Sequence, residues 1–161
     1  MDPFLFAAKW LWVPMILVTL LNYGILSSRA QTMAQGDPVR QAGYAHLLKV
    51  YYFSSLLPFI VMGIGIVFGG VPTMFHFFRP QDGNPFVLAF FATSFMLWIL
   101  GVYWVYFRGG AQTLARHPGV ITKSENPLLI KLMVLFGLVA GIAAVFMMYQ
   151  LDFPADAFFG I

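Results

Sequence analysis

From Phe86 to Phe107 the chain carries no charged residue and no proline. A stretch of this kind crosses a hydrocarbon layer of roughly 30 Å as about 20 residues of helix, because only helices and closed barrels keep every backbone N–H and C=O paired out of water. Three more stretches read the same way: Phe4 to Ser28, Val50 to Pro72 and Leu128 to Leu151. Composition agrees, since 60% hydrophobic and 9% charged residues over 161 positions leave too few polar groups to cover a water-soluble globule. The expected fold is all-α: an integral membrane four-helix bundle with spans near 4–28, 50–72, 86–107 and 128–151. Asp2 in place of a basic cluster argues that the first span is retained and is not a signal peptide.

The chain also repeats itself. Ala30-Gln31-Thr32-Met33-Ala34-Gln35 returns 81 positions later as Ala111-Gln112-Thr113-Leu114-Ala115-Arg116. Asp2-Pro3-Phe4 is answered by Asn84-Pro85-Phe86, and Leu47-Leu48-Lys49 by Leu129-Ile130-Lys131, each 82 positions on. Self-similarity of this kind marks a duplicated unit. The expected division is a first two-span repeat over 1–83 and a second over 84–161, forming one membrane domain. Each copy enters from the same side, so the repeats are parallel, related by an axis along the membrane normal.

Orientation follows from the basic residues. The segments after the first and third spans hold Arg29, Arg40, Lys49, Arg108, Arg116 and Lys123, against Lys9 and Arg79 on the other side. The excess of Lys and Arg in cytoplasmic loops then places both connecting segments in the cytoplasm, and both termini outside it, in a bacterial-type inner membrane. Within the spans the polar residues are few. Lys9 is expected to snorkel to the headgroups, Asn22 and Lys131 are the other candidates for an intramembrane role, and Ser54, Ser55, Thr93 and Ser94 add hydroxyls. Pro58 should kink the second span and free the Ser54 carbonyl, and Gly36-Asp37-Pro38 should turn the chain.

Several chemistries are excluded by residue type. Without cysteine there is no disulfide, no thiolate nucleophile and no Cys-ligated metal. Scattered basic residues give no stripe for a phosphate backbone, so nucleic acid is not a partner. Glu125 is the sole glutamate and every Asp lies in a loop or the tail, so no paired acids offer acid–base catalysis, and no acid sits at membrane depth as in a proton relay. His46 and His117 are the candidates for a cofactor ligand, and with Glu125 they form the one metal grouping to be weighed; neither a metal nor a named cofactor is expected from them. Arg29, Gln31, Arg40, Gln112 and Arg116 are the candidates for a pocket on the cytoplasmic face. Gly65/Gly69 and Gly137/Gly141 have the small-xxx-small spacing at which helices approach closely in lipid, and are the candidates for helix packing or an interface.

Read this way, the chain has no catalytic residues and is a non-catalytic structural or assembly subunit of a homo-oligomer or larger inner-membrane complex. Its partners would be membrane lipids and either other membrane subunits or itself. A small channel or transporter is the second reading, and a membrane-embedded enzyme with a cytoplasmic-face pocket the third.

Overall fold

The computed structural model describes residues 3–150; Asp2, Leu151 at the expected end of the fourth span, and the acidic tail 152–161 lie outside the described residues. Six helices follow in order: α1 Pro3–Trp10, α2 Trp12–Ala34, α3 Pro38–Val67, α4 Pro85–Phe107, α5 Gly110–Arg116 and α6 Pro127–Gln150. Of these α2, α3, α4 and α6 are each long and apolar enough to cross a membrane, and there is no strand among the described residues. The protein is an all-α membrane protein.

Local sequence explains where the long helices start. Three of them open on an Asx-Pro pair. Asp37 Oδ1 accepts from the Val39 and Arg40 amides at 2.9 and 3.3 Å, Asn84 Oδ1 from Phe86 at 2.9 Å, and Asn126 Oδ1 from Leu128 at 2.9 Å. Each cap satisfies orphan amides of the first turn, while the proline that follows needs no partner there and is already set at a helical φ. The reversal before α3 needs two left-handed residues, Gln35 at φ 51° and Gly36 at φ 81°.

The observed bounds differ from the expected spans in an instructive way. Residues 29–49, expected as a polar connector, are helical except for the turn at 35–37, so α3 is 30 residues long. Polarity did not unwind this segment, because Ala, Gln, Leu and Lys are good helix formers and Asp37 restarts the helix at once. Helix runs on through one mid-span proline and breaks shortly before the other. α3 continues through Pro58, and the Ser54 hydroxyl lies 2.7 Å from the Val50 carbonyl and 3.0 Å from that of Tyr51. The first span instead breaks at Leu11, between α1 and α2. Pro14 lacks the N–H that would meet the Trp10 carbonyl and crowds that carbonyl with its ring.

Packing runs in a row: α2 lies against α3, α3 against α4, and α4 against α6, with α5 touching both α4 and α6. The two connectors, 35–37 and 108–126, share one end of the bundle, the connector end; the 68–84 loop with its two short 3₁₀ turns covers the other, the loop end. Each end has its own core. Ala30, Ala34, Tyr44, Leu47, Leu48, Val105, Ala111, Leu114, Val120 and Ile130 fill the connector end, and Met62, Ile66, Val71, Phe77 and Val87 the loop end.

Helices also meet where an indole faces a glycine. A Cβ on Gly63 of α3 would stand 2.9 Å from the Trp12 ring, and one on Gly141 of α6 would collide with the Trp98 ring of α4. Apolar helices in lipid gain little from the hydrophobic effect, so this kind of close approach is a main source of their attraction. Adding 82 to Trp12 and Gly63 gives 94 and 145. The contact in the second half therefore lies four residues, one turn, nearer the connector end on both helices.

Candidate functional site

The two Ala-Gln-Thr segments both fold as helix and both feed the connector-end core. Ala30 and Ala34 bury one side of the last turns of α2, while Ala111 and Leu114 bury one side of α5. Leu48 and Ile130, equivalent under the 82-residue offset, are each only 2% exposed in the same core. Tyr44 closes the space between them. Its hydroxyl donates to the Pro118 carbonyl at 2.9 Å, and its ring meets the His117 ring edge-on at 4.9 Å between centroids. His117 Nδ1 lies 2.8 Å from the Thr113 carbonyl and therefore carries the proton, and Nε2 faces Gly43, where any side chain would collide with the imidazole.

This geometry fixes where the expected pocket residues lie. Arg29, Gln31, Gln112 and Arg116 are exposed and Arg40 is half-buried. His46 is exposed on α3, and among the described residues no three His, Asp or Glu side chains stand close enough to share a metal ion. Lys131 also has a structural position, its ammonium 5.5 Å from the Tyr106 ring centroid while the Tyr106 hydroxyl donates to the Lys131 carbonyl at 2.8 Å. Lys9 is half-buried in the last turn of α1.

The glycine candidates divide. Gly65 and Gly69 face Phe77 and Phe86 of the same chain, and Gly141 faces Trp98; Gly137 has open space before it.

What remains unpartnered lies along the seam between α2 and α3. At the connector end Ser27 and Gln31 oppose Gln41 and Ala45 across a notch of about 70 Å³. Farther along, Thr19, Asn22 and Tyr23 oppose Tyr51, Tyr52 and Ser55 across another of about 50 Å³. Positions 41, 45, 48, 52 and 55 fall on one stripe of α3, and 19, 23, 27 and 31 on one stripe of α2, by ordinary helical spacing. Thr19 satisfies itself by donating to the Met15 carbonyl at 2.8 Å. Among the described residues no hydrogen bond is made by the Asn22 amide or by the hydroxyls of Tyr23, Tyr51, Tyr52 and Ser55, although the Tyr23 and Tyr52 rings pack at 4.7 Å.

The cluster lies inside the apolar runs but toward their connector ends. Asn22 stands seven residues before Arg29, about 10 Å along α2, and Tyr51 two residues after Lys49 on α3. Asn22 is exposed there, as are Tyr23 and Tyr51 at 36% and 39%.

Comparison with protein-family models, with curated proteins and with solved structures finds no match. The site therefore rests on its own chemistry. Asn22 and Ser55 were legible as intramembrane polar residues in the sequence, but Thr19, Tyr23, Tyr51 and Tyr52 were not counted with them. The signal that would have found them is the shared helical spacing of 19, 22 and 23 on one span and 51, 52 and 55 on the next.

Proposed function

We propose that this chain is a non-catalytic membrane subunit that assembles laterally with a second copy of itself through the α2/α3 seam. The observation that carries the proposal is the exposed Asn22 amide within an apolar span, beside tyrosine hydroxyls that have no hydrogen-bond partner among the described residues. An amide left without a hydrogen bond in hydrocarbon costs several kcal/mol, and side chains such as Asn and Ser bond across helices to avoid that cost. A second copy is the occupant that the chemistry favours. Asn, Tyr, Thr and Ser each both donate and accept, and the patch carries no charge, so two copies related by a two-fold axis along the membrane normal bring equal depths together and satisfy each other.

The duplication belongs to the same proposal. Ala30 with Ala111, Leu48 with Ile130, and the two indole-on-glycine contacts support a doubled two-helix unit. A cytoplasmic connector end is supported by the basic residues: Arg29, Arg40, Lys49, Arg108, Arg116 and Lys123 lie toward it, against Lys9 and Arg79 toward the loop end.

Because the chain has no cysteine, an introduced one is its only thiol. Tyr23→Cys and Tyr51→Cys, which keep Asn22, should each form a disulfide-linked dimer on mild oxidation in membranes, whereas Phe136→Cys, 77% exposed on α6, should stay monomeric. Cross-linking through Phe136→Cys with none through either seam position would replace the α2/α3 face by the α6 face and end the proposal.

A further inference from the structure

From the Trp98–Gly141 contact toward the connector end, α4 and α6 enclose a groove of about 500 Å³ between them. Its walls are widened by two glycines, Gly101 on α4 and Gly137 on α6, and a Cβ at either would meet nothing within 4 Å. Its floor is the connector-end core, reached at Val105, Leu114 and Ile130. The lining is apolar almost throughout, and the volume falls in the range of ligand clefts, about 300–1,000 Å³.

We infer that this groove holds one acyl chain of an anionic phospholipid from the leaflet at the connector end. Length argues for this occupant. From Trp98 to Phe107 at the end of α4 is nine residues, about 14 Å of helix rise, which is one leaflet of a hydrocarbon layer of roughly 30 Å. Charge at the mouth argues for the headgroup. The groove ends at Ile121 and Thr122, followed directly by Lys123, and Arg108 ends α4; both cations are exposed and neither has an ion-pair partner among the described residues. Glu125 is the one acid on that connector, against Arg108, Arg116 and Lys123. A phosphate there gains about 1 kcal/mol per nearby Lys or Arg. The inference is independent of the α2/α3 association, which uses the other end of the helix row.

The test is native mass spectrometry of the full chain in detergent, titrated with phosphatidylglycerol and, separately, phosphatidylcholine. The wild type should keep one phosphatidylglycerol after others dissociate. Gly137→Leu and Gly101→Leu, which project side chains into open space, should lose that retained lipid while leaving the helix content unchanged by circular dichroism. Lys123→Gln and Arg108→Gln should each weaken phosphatidylglycerol by about fivefold and leave phosphatidylcholine unaffected, the factor that about 1 kcal/mol per cation corresponds to. Equal retention of both lipids by the wild type would overturn the headgroup assignment. Undiminished retention by both glycine variants would overturn the groove, and so would dimers that Gly137→Leu disperses, since a second copy would then be its occupant.

Discussion

Phe77→Ala is expected to destabilise the bundle by about 3–5 kcal/mol, the range for removing a buried aromatic ring from a packed site. Phe77 is fully buried although it sits in a loop, in the short 3₁₀ turn Met74–Phe78. Its ring meets Phe90 of α4 edge-on at 5.4 Å, and its tip fills the space opposite Gly65, where a Cβ would be 2.9 Å away. One side chain thereby ties the 68–84 loop to α3 and α4 together. The midpoint of reversible unfolding in a mixed-micelle SDS titration should fall steeply for Phe77→Ala. For Phe75→Ala, a half-buried neighbour whose ring stacks on Phe4 at 6.4 Å, the fall should be smaller. Equal losses would show that the loop contributes general bulk, without a specific plug.

Gly141→Leu should weaken the attachment of α6 to α4 far more than Gly137→Leu, although the two glycines lie four residues apart on one helix. The difference is what each faces. Any side chain at 141 collides with the Trp98 ring, whereas one at 137 enters open space. Overpacking a tight contact costs about 1–3 kcal/mol, and α6 has few other holds on α4 outside the connector-end core. Limited proteolysis of the 117–126 connector, followed by asking whether the α6 fragment stays bound in detergent, separates the two cases. Retention in Gly137→Leu and release in Gly141→Leu is the expected pattern. Similar behaviour in both variants would mean that the indole contact does not hold the helices.

This contrast also shows what a sequence spacing conveys. Gly65/Gly69 and Gly137/Gly141 announce where backbones are approachable, but not what approaches. Here the visitors are Phe77, Phe86 and Trp98 from the same chain, and at Gly137 none. The number of long helices was legible because each is an apolar run of sufficient length, and the turn at 35–37 because Gly36-Asp37-Pro38 has turn and cap chemistry. The helical extension through Arg29–Lys49 was not, because polarity alone does not distinguish a loop from the wet end of a helix. The expected pocket residues divide: Gln31 lines the notch beside Ser27 and Gln41, while Arg29, Gln112 and Arg116 are exposed and Arg40 is half-buried. The alanines of the repeated segments turn inward, and Tyr44, not singled out in the sequence, packs there against His117. The polar seam escaped notice because tyrosines read as belt or core residues until their neighbours and their unsatisfied hydroxyls are known together.

The central claim is that two copies pair through the α2/α3 seam because Asn22 needs a partner in the membrane. It is tested most directly by Förster transfer between donor-labelled and acceptor-labelled chains in liposomes, measured as the protein is diluted into lipid. Wild-type transfer should persist on dilution and follow a dimer isotherm. Asn22→Leu should weaken association by about 1–2 kcal/mol, the scale of a hydrogen bond between helices in lipid, and Asn22→Gln should recover part of the loss. Transfer that vanishes with dilution in the wild type as fast as in Asn22→Leu would contradict the account.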